Sequence, residues 1–192
     1  MKQFLTNGIT KLNYNFNRIN PRSSFKYVLN KFPSKKLICA EVGVYKGINA
    51  KSMLKTGRIE KLYLIDKYKD YRDYNEEWIT QEDLNNAKKE MLNKLKEFDN
   101  IVFIEKDSLI AFDELPELDY IYLDANHSYE YTKREMVLYF NKLKKGGVMG
   151  GHDVCAGFSK ECEGVTRAFV EFCYENKLKP FLCNNDWWVE KD

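Results

Sequence analysis

The sequence of 192 residues predicts an α/β domain: a seven-stranded, mostly parallel sheet with a C-terminal antiparallel hairpin and helices on both faces. Three observations predict it. From residue 37 onward short apolar runs alternate with longer amphipathic ones, the pattern of strands joined by crossover helices. The last two apolar runs, 181–183 and 187–190, are separated only by Asn184-Asn185-Asp186. That link is too short for a crossover helix, so the two runs pair as a hairpin at the sheet edge. The first run, Leu37-Ile38-Cys39-Ala40-Glu41-Val42, passes into Gly43-Val44-Tyr45-Lys46-Gly47 and then into helix-forming residues, which reads as strand, tight turn and helix start.

Strands are expected at 37–42, 61–65, 101–105, 120–123, 147–151, 181–183 and 187–190. Helices are expected near 49–55, 81–98, 129–143 and 165–177, where apolar residues recur at three- and four-residue steps, as Met91, Leu92, Leu95 and Phe98 do. Residues 1–36 are polar and Asn-rich with a weak helical pattern over 23–30; they read as a cap or a substrate-side extension, leaving 37–192 as the principal domain. The whole length suits a single hydrophobic core.

Charge and cysteine usage narrow the function classes. With 31 basic against 29 acidic residues the net charge of +2 gives no broad field for nucleic acid or an anionic membrane. The five cysteines, at 39, 155, 162, 173 and 183, form no Cys-x-x-Cys pair and read as free thiols in a reducing compartment, although Cys155 and Cys162 fall near the expected site. The first residues lack the apolar stretch of a signal peptide, and no later run approaches the ~20 apolar residues of a membrane span. A soluble cytoplasmic protein is expected, with a homo-oligomer left open by an N-terminal segment that has little core of its own.

The turn after the first strand is spaced E-x-G-x-x-x-G rather than G-x-G-x-x-G, which argues against a dinucleotide. The carboxylate of Glu41 would repel a pyrophosphate but suits a ligand carrying an ammonium or sulfonium charge. In an open parallel sheet ligands bind beyond the carboxyl ends of the strands. Those ends are acidic here: Glu41, Asp66, Asp107, Asp124 and the pair His152-Asp153. Any one alone reads as a helix N-cap or a solvated acid. Five in register mark a crevice, and a carboxylate ending the second strand can accept both hydroxyls of a ribose.

The ordered set Glu41-Val42-Gly43-Val44-Tyr45-Lys46-Gly47, Leu64-Ile65-Asp66, Lys106-Asp107-Ser108, Tyr122-Leu123-Asp124 and Lys145-Gly146-Gly147-Val148 resembles the class I methyltransferases that use S-adenosylmethionine, over about residues 37–190. The resemblance implies a Rossmann-like domain in which Glu41, Gly43, Val44, Tyr45 and Gly47 hold the methionine part of the cofactor. Asp66 would take the ribose, Asp107 and Ser108 the adenine edge, and Asp124 would border the cofactor from the fourth strand.

Two further stretches, Asp124-Ala125-Asn126-His127-Ser128-Tyr129 and Gly150-Gly151-His152-Asp153, resemble the small-molecule O-methyltransferases related to macrocin and mycinamicin sugar methyltransferases, and more distantly the catechol type. Those enzymes are metal-dependent. The resemblance therefore implies a divalent ion, magnesium first and manganese or another second, held by Asp124, Asp153 and His152, with Asp124 and His127 catalytic and His127 as general base. Two hard carboxylates from neighbouring strand ends can hold an octahedral ion that also binds a substrate hydroxyl. An imidazole near its ordinary pKa of ~6.5 suits proton removal near neutral pH. His152 departs from the pattern, since the sugar enzymes carry an acid there and the catechol type reads Asp-Asn. An imidazole could ligate a softer ion such as Mn, Fe or Zn, face the substrate, or cap the strand.

The activity implied is O-methylation of a hydroxyl on a small molecule or sugar. Tyr68, Tyr71, Tyr74, Trp78 and Phe158 are candidate pocket walls, though in a chain with 15% aromatic residues many such rings only pack, and the charged run 67–73 reads as a loop or lid. Methylation of nucleic acid or protein is a weaker reading, because the Asn/Asp-Pro-Pro-Tyr signature and a broad basic face are absent. A non-catalytic cofactor-binding or partner module and a nicotinamide enzyme of similar topology are the other readings.

Overall fold

The computed structural model describes residues 20–69, 79–155 and 160–192. Seven strands, β1 (Leu37–Val42), β2 (Ile59–Ile65), β3 (Ile101–Ile104), β4 (Leu118–Leu123), β5 (Leu143–Gly151), β6 (Phe181–Cys183) and β7 (Asp186–Glu190), form one sheet in the order β3-β2-β1-β4-β5-β7-β6. Strands β1 to β5 are parallel; β7 runs antiparallel to both β5 and β6. This is the Rossmann-like architecture expected from the sequence, hairpin included.

The helices are α1 (Ser23–Lys31), α2 (Ile48–Leu54), α3 (Gln81–Leu95), the single turn α4 (Ser108–Ala111), α5 (Tyr129–Asn141) and α6 (Lys160–Glu175). Each face of the sheet carries its own core, and the two-residue period of the strands divides the side chains between them. Along β4, Tyr120 and Tyr122 enter one core with Phe25, Val28, Met53, Leu64 and Met91, whereas Ile121 and Leu123 enter the other with Met136, Tyr139, Phe169 and Phe172. On β7 the same alternation sends Trp187 to the second core and Trp188 to the first. Each such side chain, fully buried, contributes on the order of 1.5–3 kcal/mol.

Local signals explain where helices begin. At α3, Thr80 and Asp83 form a reciprocal capping box, which stabilises the start of a helix with little apolar surface of its own. At α2, Gly47 is the N-cap in the left-handed region, φ 65°. A Cβ there would also lie 2.9 Å from Met91 of α3, so the glycine serves both the turn and the seating of the neighbouring helix.

Several boundaries differ from expectation. Strand β5 starts at Leu143 rather than 147, and Leu143, expected at the end of a helix over 129–143, is buried in the strand, whose Gly146 N–H donates to Lys191 O and whose Gly147 O accepts from Lys191 N–H. Strand β2 starts at Ile59, β4 at Leu118, and β3 ends at Ile104. Helix α3 stops at Leu95 rather than 98 and α6 begins at Lys160 rather than 165. The hairpin link is the two residues Asn184-Asn185, since Asp186 already belongs to β7. The weak pattern over 23–30 is a true helix, and its Phe25 and Val28 are fully buried, so this part of the N-terminal segment contributes to the core.

The expectation of five free thiols is corrected for two of them. Cys155, after β5, and Cys162, in the first turns of α6, are joined as a disulfide with their Cα atoms 5.8 Å apart. Nothing in the Cys-x6-Cys spacing announced the pair, because the fold alone brings the two segments together. Cys39, Cys173 and Cys183 are free. Among the described residues no helix is long and apolar enough to cross a membrane.

Candidate active site

The strand order reverses between β1 and β4, and a crevice opens beyond their carboxyl ends. A cavity of about 910 Å³ lies there, bordered by Glu41, Asp66, Asp124, His127, His152 and Asp153 among others. The residues named from sequence at four strand ends thus share one space, joined after β3 by Ser108 but not by Asp107.

On the β1 side, Gly43 adopts φ 84°, and a Cβ at this position would stand 1.9 Å from the carbonyl oxygen of Asp124. Only glycine permits that backbone approach. Val44 and Tyr45 form the rest of the turn, Tyr45 at a positive φ of 47°. The turn is held from β2: Asp66 Oδ2 accepts the amides of Val44 at 3.0 Å and Tyr45 at 2.9 Å, and Oδ1 accepts the amide of Tyr68 at 2.9 Å. Three of roughly four acceptor positions on this carboxylate are therefore in use. About one acceptor position is left for a ligand. Burial raises its pKa against the pull of these amides.

Glu41 is enclosed by protein. Its Oε1 accepts from Asn49 Nδ2 at 3.2 Å, while Glu41 Oε2 and Asn49 Oδ1 are buried acceptors without a partner among the described residues. Burial pushes the Glu41 carboxyl up to about 8. A pair of orphaned acceptors bordering a cavity fits a ligand that brings N–H donors and positive charge. Asn49 was not singled out from the sequence; its place two residues past Gly47 in the first turn of α2 was the available signal.

Asp107 and Ser108 lie at the start of α4, and a stripe on α5 holds them. Tyr131, Glu135 and Tyr139, spaced four residues apart, present one helical face. Tyr131 Oη donates to Asp107 Oδ1, Ser108 Oγ donates to Glu135 Oε1, and Tyr139 Oη donates to the Ser108 carbonyl at 2.9 Å. Asp107 also caps α4 through the amide of Leu109, and it accepts from Lys67 Nζ at 3.2 Å. Burial alone would raise its pKa, but these donors hold it below the usual range. Glu135, fully buried, is pushed up to about 8. Ser108 borders the cavity, whereas the Asp107 carboxylate is turned to its protein partners.

Across the crevice, Asp124, His152 and Asp153 can each bring one donor atom within 4.8 Å of the others. Two carboxylates and an imidazole at that spacing fit a divalent cation. Asp153 reaches the group because its backbone takes φ 62°, and its oxygens face two imidazoles: Oδ1 lies 2.8 Å from His152 Nδ1 and Oδ2 lies 3.2 Å from His127 Nε2. Burial opposes ionisation of Asp153, yet the two histidines keep its pKa below the ordinary value. His152 is correspondingly raised: burial would lower it, and Asp153 and Asp124 prevail. His127 also stands 3.9 Å from Asp124 Oδ1.

The loop that presents His127 is shaped by its own sequence. Asn126 Oδ1 accepts the amide of Ser128 at 2.8 Å, and Thr132 Oγ1 donates to the Asn126 carbonyl at 2.8 Å. From the far side Gly164 of α6 packs against it; a Cβ there would be 2.3 Å from the His127 carbonyl oxygen.

Two residues missed at first complete the wall. Arg22, at the start of α1, stands 3.7 Å from Asp124 Oδ2 and 3.7 Å from Asp186 Oδ1, with its guanidinium 5.9 Å from the centre of the Tyr122 ring. Asp186 also accepts the amide of Ser23 at 2.7 Å, fastening the N-terminal helix to the hairpin. Of the aromatic walls expected, Tyr68 is instead packing: it is buried in the first core, against Phe103, with its hydroxyl bonded to the Tyr45 carbonyl. Tyr71, Tyr74, Trp78 and Phe158 lie outside the described residues, as does most of the 67–73 run.

A family model described as a methyltransferase domain matches residues 40–154, more than half of the chain. Solved structures of similar fold include a candidate caffeoyl-CoA O-methyltransferase from Staphylococcus aureus (TM-score 0.65, 13% identity, covering 95% of this chain and 90% of that one). An O-methyltransferase from Bacillus cereus in complex with S-adenosylhomocysteine gives TM-score 0.59 at 11% identity, covering 96% and 90%. A methyltransferase from Podospora anserina with S-adenosylhomocysteine bound gives TM-score 0.63 at 13% identity, covering 92% and 81%. No curated protein sequence matches the chain.

Proposed function

Since this chain belongs to the methyltransferase-domain family, we propose that it is an S-adenosylmethionine-dependent O-methyltransferase assisted by a divalent ion and acting on a hydroxyl of a small molecule or sugar. The observation that carries this reading is the convergence of Asp124, His127, His152 and Asp153 across the crevice from the orphaned acceptors of Glu41 and Asn49. One end suits a cationic cofactor and the other a metal-held oxygen. The fold shared with an O-methyltransferase and a further methyltransferase, each with S-adenosylhomocysteine bound, supports the same assignment.

In this reading the ammonium of the methionine part sits beside Glu41 and Asn49, over the Gly43–Gly47 turn with Val44 and Tyr45. Asp66 takes one ribose hydroxyl with its remaining acceptor position, and Ser108 borders the adenine with Asp107 holding the α4 turn behind it. Asp124 lines the boundary between the two halves. Asp124, Asp153 and His152 would hold the ion, which supplies charge to acidify and orient a substrate hydroxyl. His127 is the general base of this reading, and the Asp153 carboxylate, 3.2 Å from its Nε2, favours the imidazolium that results. Methyl transfer itself needs an activated oxygen in line with the sulfonium and water excluded. The specific sugar-methyltransferase kinship remains part of the proposal, carried by the Asp-x-x-His-Ser-Tyr and His-Asp stretches.

Calorimetric titration with S-adenosylhomocysteine, followed by a screen of hydroxylated acceptors with and without chelator, tests it. Saturable cofactor binding, and turnover that chelator abolishes and added divalent ion restores, are expected. Full turnover by both Asp124→Asn and Asp153→Asn would remove the metal from the mechanism.

A further inference from the structure

We propose that the His152 imidazole is a nitrogen ligand that turns this site toward a first-row transition ion, Mn(II), Fe(II) or Co(II), and away from Mg(II). The inference rests on the metal reading above and revises the expectation of magnesium.

The backbone that carries the ring is held on both sides. The His152 amide donates to the Leu123 carbonyl at 3.2 Å, and the indole of Trp187 donates to the His152 carbonyl at 3.0 Å. The residue is thus pinned to β4 on one side and β7 on the other. Its side chain borders the crevice with about a fifth of its surface exposed. One donor atom each of Asp124, His152 and Asp153 lies within 4.8 Å of the others, and the 2.8 Å ion pair of His152 Nδ1 with Asp153 Oδ1 is one that a bound ion would replace as the ring gives up its proton. Since the left-handed backbone of Asp153 directs its carboxylate into the same crevice, adjacent residues can supply adjacent ligands.

Charge points the same way. Asp124 and Asp153 balance a divalent ion without excess negative charge, and Arg22 stands 3.7 Å from Asp124 Oδ2. A guanidinium so placed opposes a second cation, so retention of the ion depends less on carboxylate number and more on the strength of the metal–nitrogen bond. Mg(II) gains little from nitrogen and keeps its water, whereas imidazole binds Mn, Fe and Co with affinity rising along that series.

The test uses the full chain. Affinities for MgCl2, MnCl2 and CoCl2 are measured by calorimetry and by competition against bound Mn(II), and the Mn(II)-loaded protein is examined by electron spin echo modulation for coordinated nitrogen-14. Parent, His152→Asp, His152→Asn and His127→Gln are compared after circular dichroism has established that each folds. We expect the Co-to-Mg affinity ratio to fall about tenfold or more in both His152 variants. The nitrogen signal should vanish in them and persist in His127→Gln. An unchanged ratio in folded His152 variants, a nitrogen signal that survives them, or Mg binding as tight as Mn in the parent would overturn the inference while leaving a metal site in place. Failure of all three ions to bind the parent would overturn the metal reading as well.

Discussion

The Nε2 atom of His127 lies 3.2 Å from Oδ2 of Asp153, although the two residues come from different loops, one after β4 and the other after β5. This pairing joins the proposed proton acceptor to a proposed metal ligand. It gives the imidazolium formed during turnover a carboxylate partner before any substrate arrives.

Replacing His127 should therefore separate chemistry from binding. His127→Ala is expected to lower kcat by about 10²- to 10⁴-fold, the usual contribution of a general base, with the dissociation constant for S-adenosylhomocysteine changed little. Rapid-quench turnover beside calorimetric titration checks both halves. A variant that lost cofactor affinity and kcat together would place His127 in the cofactor site instead.

Glu41 predicts a proton linked to cofactor binding. Burial holds its carboxyl at about 8, so near pH 7 it is mostly protonated in the free protein. A ligand ammonium beside it favours the carboxylate, and binding should release up to about one proton at pH 7, falling toward zero well above pH 8. Affinity should accordingly strengthen as pH rises from 6 to 8. Titrations in buffers of different ionisation enthalpy measure the release, and Glu41→Gln should abolish it. Zero release from the parent at pH 7 would remove the ammonium from this position.

Glu135 makes a prediction about stability alone. Its pKa is about 8 in the folded chain against 4.5 for an ordinary glutamate, so its stabilising contribution is complete below about 4.5 and is lost as pH rises toward 8. Glu135→Gln, which can still accept from Ser108, should flatten that decline. The difference in urea midpoint between parent and variant should shift in favour of the variant from pH 5 to pH 8.5. A difference independent of pH would show that Glu135 is already ionised in the folded state.

Gly164 reverses a familiar rule. Glycine-to-alanine within a helix ordinarily stabilises by about 1 kcal/mol. Here the new methyl would stand 2.3 Å from the His127 carbonyl oxygen and 2.8 Å from the Tyr129 amide. Gly164→Ala should instead destabilise by about 1–3 kcal/mol, lowering Tm, and should reduce kcat because the His127 loop must shift. Unchanged Tm and kcat would mean that α6 can withdraw freely.

The sheet was legible because strand burial writes itself locally: Leu37 to Ala40 and Tyr120 to Leu123 are continuous apolar runs, each leading to an acid at the strand end. The acids ending the strands were legible for the same reason, since parallel topology gathers the ends of neighbouring strands. What hid was whatever depends on distant pairing. Arg22 meets Asp186 across 164 positions, and no local pattern marks either residue. The Tyr131-Glu135-Tyr139 stripe could have been found as a polar row at helical spacing, but the residues it serves, Asp107 and Ser108, lie on another element. Asp66 was recognised by position, yet its three bonds to backbone amides depend on the left-handed turn at Tyr45 and on Tyr68 folding back, which a list of residue types does not encode.

The close approach of Gly43 to the Asp124 carbonyl has a mechanical meaning. With no side chain between them, the cofactor turn and the loop carrying Asp124 and His127 touch backbone to backbone at the base of the crevice. Close-packed contacts of this kind transmit displacement rather than absorb it. Donor and acceptor halves of the reaction therefore share one rigid foundation, and their alignment is set by van der Waals contact in the floor rather than by the reach of surface loops. Tolerance for change should be found at the rim, where acceptors can be exchanged without disturbing the line of transfer.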